Sequence, residues 1–222
     1  VVSMNEKDIA LKIKKNGGNL YLVGGAVRDE LMKRKIHDKD FCVTGISYNE
    51  FIKIFPDAKI IGKDFPVFLV NNFEIALARK DVKKAIGYKG FEVITSKDIT
   101  IEEDLKRRDL TINAIAKDVL TGKIIDPYNG VEDIKNRYIK HIDDSFCEDP
   151  LRAYRVARFA AQLKFRVDIK TCELIKKLKD ELVSLTPERV FQEFRKALNT
   201  NKPSIFFEVL KNTDILDVHF KE

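Results

Sequence analysis

The segment that most restricts how this chain can fold is Leu20–Val23, followed by Gly24-Gly25 and then Ala26–Met32. Four successive apolar residues read as a buried strand, and the run after the glycines reads as a helix. Two glycines between them permit a tight strand-to-helix corner. Such a corner also lets backbone N–H groups approach a phosphate closely, with the partial positive charge of a helix start behind them. Arg28 stands one turn into the helix, where it could contact phosphate oxygens bidentately. A tight turn carrying a surface arginine is the plainer alternative, and a double glycine alone does not choose between the two.

The corner sits in a region of mixed texture. Asp40–Val43 reads as a second strand. Ser47 with Glu50 forms a capping box that opens a helix to about Phe55. Lys59–Ile61, Val67–Val70 and Phe73–Ala78 read as further strands, with Asn71-Asn72 as a hairpin turn. Residues 80–98 are polar and glycine-bearing, and read as a long mobile loop. From Pro150, which suits the first turn of a helix, the pattern changes. Leu151, Val156, Phe159, Ala160 and Leu163 recur at helical spacing, and helices are expected near Ile169–Leu178, Pro187–Leu198 and Pro203–Leu210. The expected fold class is therefore α+β: a mixed α/β head over residues 1–144 and an all-helical segment over residues 145–222.

Composition narrows the classes of function. Hydrophobic residues make up 44% of the chain, enough for a buried core and too many for a disordered one. The net charge of +6 admits a polyanionic partner. That charge is spread over both parts instead of forming a basic tail, so any anion site must be built by folding. Cys42, Cys147 and Cys172 are odd in number and lack C-x-x-C spacing, which argues for a reducing compartment and against disulfides or zinc. His37, His141 and His219 carry no metal spacing. No apolar run approaches membrane-spanning length and no signal peptide is visible, so the cytoplasm is the expected location. The sequence fixes no oligomeric state.

Three acidic or basic constellations carry potential chemistry. Asp38-Lys39-Asp40 opens the second strand, where alternate residues face one side, roughly 7 Å apart. Two carboxylates so placed can bridge divalent cations, and paired metals can activate a hydroxyl and neutralise a leaving pyrophosphate. Glu74 could complete the site; a solvated strand start is the alternative. The run Glu102–Asp109 reads as a solvated helix face with i,i+4 pairing. Yet Arg107-Arg108 beside Asp109, with Asn113 one turn later, could serve a ribose and a triphosphate. Lastly, Arg152, Arg155 and Arg158 recur every three residues on one helical face, which suits a triphosphate or an RNA backbone. Asp149 either caps that helix or offers its carboxylate to a base amino group while Arg152 donates to a base acceptor.

Taken together and in order, these segments resemble the class II tRNA nucleotidyltransferases, within the polymerase-β-like nucleotidyltransferases. The resemblance is carried by YLVGGAVRDEL (Tyr21–Leu31), DKD (Asp38–Asp40), IGKDFPVFLV (Ile61–Val70), EIALAR (Glu74–Arg79) and GYKGF (Gly87–Phe91). It continues through EEDLKRRDLTINAIA (Glu102–Ala116), IIDPYNGVEDI (Ile124–Ile134), EDPLRAYRVARFAA (Glu148–Ala161) and TPERV (Thr186–Val190). It implies a polymerase-β-like head followed by a helical neck. It also implies Mg2+ on Asp38 and Asp40, with Glu74 as a third carboxylate. Gly24, Gly25 and Arg28 would hold the triphosphate, Arg108 would contact the nucleotide, and Asp109 and Asn113 would lie near its ribose. Asp149 and Arg152 would pair with the Watson–Crick edge of CTP or ATP, supported by Arg155 and Arg158. The implied reaction is attack of a tRNA 3′ hydroxyl on the α-phosphate. Residues 80–98 would correspond to the flexible loop linked to the switch from C to A addition.

Lys33 departs from the pattern, because many relatives have glycine there, and this bears on the turn after the first helix. Asp64 in GKDFPVF leans toward CCA addition, since poly(A) polymerases tend to carry a basic residue at that position. Relatives also continue through further helices that grip tRNA, so this chain is expected to bind nucleotide and to hold tRNA poorly.

Overall fold

The structure, a computed structural model, describes residues 3–62, 65–83 and 91–221. Asp64 and most of the GYKGF segment lie outside the described residues. The chain divides into two compact units, Val1–Arg108 with Ile112–Val131, and Asp109–Thr111 with Glu132–Glu222. The change of texture near residue 145 falls inside the second unit.

The first unit opens with α1 (Glu6–Lys15), then β1 (Asn19–Val23), α2 (Gly25–Leu31), β2 (Asp40–Thr44) and α3 (Tyr48–Ile54). Three strands follow, β3 (Lys59–Ile61), β4 (Val67–Val70) and β5 (Phe73–Leu77), then β6 (Arg79–Lys83) and β7 (Phe91–Thr95). α4 (Ile101–Lys106), β8 (Ala116–Asp118) and β9 (Ile124–Ile125) complete it, and α5 (Gly130–Asn136) leads into the second unit. Seven strands form one mixed sheet in the order β3-β4-β5-β2-β1-β8-β9. β2 and β5 run parallel; the other neighbours are antiparallel. Phe41, Cys42 and Val43 are all buried in the central strand β2, so both of its faces are covered. Phe51 of α3 stacks on Phe68 of β4 with centroids 4.2 Å apart, which ties that helix to the sheet.

Local chemistry explains most boundaries. α1 and α3 each start with a reciprocal capping box, Asn5 with Asp8 and Ser47 with Glu50. The first of these helices was not expected from the sequence. Asn71 and Asn72 take φ values of +47° and +69°, the left-handed pair that a tight hairpin between β4 and β5 requires. α2 ends in a Schellman arrangement: Lys33 N–H donates to the Glu30 carbonyl and Arg34 N–H to the Asp29 carbonyl. Lys33 itself sits at φ +55°, so the left-handed turn is present although glycine is not.

The reading of residues 80–98 as one long loop is corrected. β6 and β7 pair antiparallel from Arg79↔Thr95 to Lys83↔Phe91. They form a two-stranded ribbon apart from the main sheet. A ribbon has no buried face to impose apolar alternation, so its strands look like loop in sequence.

The second unit contains β10 (Tyr138–Ile139), α6 (Leu151–Leu163), β11 (Arg166–Val167), α7 (Ile169–Lys177) and α8 (Lys179–Leu182). α9 (Pro187–Leu198), α10 (Ser204–Asn212) and α11 (Leu216–His219) follow. β10 and β11 pair in parallel. α6 is the core of this unit: ten of its thirteen residues are buried, and it packs against α9 and α10. The second face is sealed by Phe194, Phe206, Phe207 and Phe220, whose rings meet edge-on or tilted at 5.3–6.3 Å.

Candidate active site

Three neighbouring strands carry the central features of the first unit. Val23, the residue before the glycine corner, pairs with Asp40, and Asp40 pairs with Glu74. Directly paired residues project from the same face of a sheet. Both carboxylates line a cavity of about 240 Å³, together with Arg79, Asp104, Arg107 and Arg108. Asp38 lies just before β2. The Asp40 carboxyl is pushed above its ordinary value, first by desolvation and further by Asp38, against the lowering pull of Arg108. A cation beside Asp40 would offset both effects by favouring the ionised carboxylate. Among the described residues no three His, Cys, Asp or Glu side chains form a closed metal cage. Asp40 and Glu74 are the carboxylates that line the cavity with Asp104, and carboxylate oxygens are the donors a hard divalent ion takes.

The glycine corner has a definite steric basis. Gly24 adopts φ +70° and ψ −135°, and a Cβ placed there would meet Arg108 Nη1 at 3.1 Å. A Cβ on Gly25 would meet Arg28 Nη2 at 3.3 Å. Arg28 is buried, not a surface residue. Its Nη1 donates to Asn113 Oδ1 at 2.7 Å and its Nε to Asp29 Oδ1 at 3.1 Å. It braces the corner, whose Gly24 N–H donates to the Ile115 carbonyl at 3.2 Å.

Asp104 was not singled out from the sequence. It is 1% exposed. It accepts from the Arg79 backbone N–H at 3.0 Å, and from Arg107 Nε and Arg108 Nη2 at 3.4 Å each. A signal was present: Ile101, Asp104 and Leu105 share one face of α4 by helical spacing, and all three are buried. The dense charge around them hid it.

In the second unit the expected arginine row is not an open cationic face. Arg152 Nη1 donates to the Ser145 carbonyl at 2.7 Å. Arg155 Nε donates to Asp109 Oδ2 at 2.7 Å. Arg158 is buried; it donates to Glu193 and stacks 4.1 Å over the Phe159 ring. A guanidinium withdrawn from water must be paired, and Asp109 and Glu193 supply the charge. Asp149 does cap α6, accepting from Leu151 N–H at 3.1 Å, and also takes Arg189 Nη2 at 3.1 Å. Arg189 and Glu193, four residues apart on α9, thus hold Asp149 and Arg158 in place; neither was singled out from sequence. Asn113 and Asp109 belong to different units, each within its own network.

A mixed sheet with paired carboxylates beside a glycine corner and an arginine cluster defines the nucleotidyltransferase-head class. Residues 20–140 match the family described as the poly A polymerase head domain, and residues 164–222 match the probable RNA and SrmB-binding site of polymerase A. The chain belongs to the poly A polymerase head-domain family. It is 50% identical over 207 residues to the CCA-adding enzyme of Blochmanniella floridana, covering 91% of this chain and 50% of that protein. It is 48% identical over 210 residues to the multifunctional CCA protein of Haemophilus ducreyi, with the same coverage. The chain thus spans about half the length of these relatives. Its fold superposes on the Bacillus stearothermophilus CCA-adding enzyme in complex with CTP with TM-score 0.81 and 31% identity, over 93% of this chain and 51% of that one. It also superposes on a tRNA nucleotidyltransferase complexed with a primer tRNA and an incoming ATP analogue, with TM-score 0.77 and 28% identity, over 96% and 62%. No helix among the described residues is long and apolar enough to cross a membrane.

Proposed function

We propose that this chain carries the catalytic head of a cytoplasmic tRNA nucleotidyltransferase that adds C and A, from CTP and ATP, to the 3′ end of tRNA without a template. The observation that carries the reading is the row formed by Val23, just before the glycine corner, Asp40 and Glu74 across three paired strands, in one cavity with Arg108. The CCA-adding relatives at 48% and 50% identity support the choice of substrate.

In this reading Asp38 and Asp40 hold Mg2+, with Glu74 as the third carboxylate. Bound there, the ion would stabilise charge on the leaving pyrophosphate and favour the ionised 3′ hydroxyl. Gly24 and Gly25 hold the triphosphate at the corner that Arg28 braces, and Arg108 contacts the nucleotide. Asp109 and Asn113 serve the ribose. Asp149 and Arg152 read the base edge, held by Arg189 and the α6 start, while Arg155 and Arg158 keep that surface rigid. Such reading rejects a wrong base by leaving a buried polar group unpaired. Residues 1–144 act as the catalytic head and 145–222 as the nucleotide-recognition neck.

The test is incorporation of labelled CTP and ATP into tRNA lacking its 3′ end. C followed by A is expected; C only, A only, or a long run of A would assign a CC-adding, A-adding or poly(A)-adding activity instead. Asp40→Ala should abolish incorporation. Full activity in that variant would refute the carboxylate mechanism, and inactivity of the unaltered chain with nucleotide binding intact would favour a non-catalytic binding module.

A further inference from the structure

We propose that Arg79, seconded by Arg107, is a phosphate clamp for the growing RNA, gripping the last internucleotide phosphodiester behind the attacking 3′ hydroxyl. The inference rests on the nucleotidyl-transfer reading and gives a role to a residue that reading leaves unused.

The order of the strands supplies the direction. β1, β2 and β5 are neighbours in the sheet, so the glycine corner and Glu74 flank Asp40 on opposite sides. In-line displacement puts the attacking and leaving oxygens on opposite sides of the phosphorus. With the triphosphate at the glycine corner beside Arg108, the RNA end comes in from the Glu74 side. Arg79 lies there: one residue past the end of β5, it is the first residue of β6 and lines the cavity with Asp40 and Glu74.

Arg79 is held ready for an anion. Its backbone N–H is fixed by Asp104 at 3.0 Å, and its guanidinium carbon rests 3.2 Å from the centroid of the Phe65 ring. Stacking on an aromatic face leaves the in-plane N–H groups free to donate. The Arg79 Nε is buried without a hydrogen-bond partner among the described residues, as is Arg108 Nε. A buried donor left unmade is costly, and a phosphate oxygen satisfies it in a charge-assisted bond. Burial and the neighbouring Arg107 hold the Arg79 guanidinium down to about 9, a crowding of cations around one carboxylate that a bound anion would relieve.

The phosphate has two possible sources, the RNA terminus and the incoming nucleotide, and a chemical cycle separates them. Single-nucleotide incorporation is measured for the unaltered chain, Arg79→Gln and Arg79→Lys. The short RNA carries either a phosphate or an uncharged methylphosphonate at its last linkage. The methylphosphonate should lower kcat/KM for RNA roughly tenfold in the unaltered chain, the worth of one charged hydrogen bond. Arg79→Gln should lose a similar factor on ordinary RNA and lose nothing more on the methylphosphonate. KM for the nucleoside triphosphate and inhibition by inorganic pyrophosphate should not change. Losses that multiply would overturn the clamp. So would a raised KM for the triphosphate with weakened pyrophosphate inhibition, which assigns Arg79 to the nucleotide. Arg79→Lys keeps the charge without the planar fork and carries the comparison if the glutamine variant does not fold. Should the unaltered chain incorporate nothing, the transfer reading fails separately. Fluorescence anisotropy of the two RNAs then tests the clamp directly, and equal affinities overturn it.

Discussion

Glu193 and Arg158 lie thirty-five residues apart on α9 and α6, and their side chains join inside the second unit with both charges withdrawn from water. Glu193 Oε1 also stands 3.9 Å from Arg155 Nη1. Removing one partner of a buried ion pair leaves an uncompensated charge, at a cost of about 3–5 kcal/mol. Glu193→Ala should therefore lower the unfolding free energy by about 3 kcal/mol or more in urea titrations. A loss below about 1 kcal/mol, the range of exposed pairs, would show that water reaches this cluster.

Lys33 offers the opposite experiment. It occupies the left-handed position that closes the Schellman motif after α2, at φ +55°. A side chain there costs roughly 1–2 kcal/mol that glycine avoids, offset in part by the greater entropy glycine has when unfolded. Lys33→Gly should raise the unfolding midpoint by an amount equivalent to about 0.5–1 kcal/mol. No change, or a decrease, would mean that the lysine side chain makes contacts worth as much as the backbone strain.

Gly24→Ala tests the corner itself. The added methyl would press on Arg108 Nη1 and force φ +70° on a residue with a Cβ. The expected cost is about 1–3 kcal/mol in stability, with a weakened affinity for nucleoside triphosphate because Arg108 is displaced. Isothermal titration with CTP, alongside thermal unfolding, separates the two effects. Unchanged triphosphate affinity in a folded variant would remove the corner from the binding site.

The second unit should lose stability in mild acid. His219 Nδ1 lies 2.5 Å from the Tyr154 hydroxyl, and burial lowers its pKa despite a bond to the Leu185 backbone. His141 is likewise lowered by burial, with its Nδ1 2.7 Å from Thr171 Oγ1. For a histidine depressed in the folded state, the unfolded chain binds the proton more readily. Their contribution is thus complete above the unfolded value of 6.5 and is lost as pH falls through the lower folded values. Urea midpoints at pH 7.5 and 5.5 should differ less in His219→Asn, which keeps an acceptor but cannot titrate, than in the unaltered chain. An identical pH dependence in both would exclude His219 as a contributor.

How legible these features were depends on the range of the interaction that makes them. α9 was expected at Pro187–Leu198 and lies there, because Thr186-Pro187 and the apolar spacing act within one or two turns. The capping box at Ser47 and the Asn71-Asn72 turn were legible for the same reason. The β6–β7 ribbon was not, since a strand pair with neither face fully buried leaves no periodic trace. Asp104 looked like one more charge in an acidic run, and only its burial against three arginines set it apart.

From the order of its residues alone, this chain determines most of the segments of its main sheet and of its later helices, where glycine must turn it, and which acids and bases it has for chemistry. Those outcomes rest on forces that act over a few residues. Tertiary structure decided that Asp40 faces Glu74, that Arg28 lies beneath the corner instead of on the surface, and that Arg158 is spent on Glu193 while Arg79 keeps a donor in hand. Each of those depends on which distant group meets a charge once water is excluded, and spacing along the chain carries no record of that meeting.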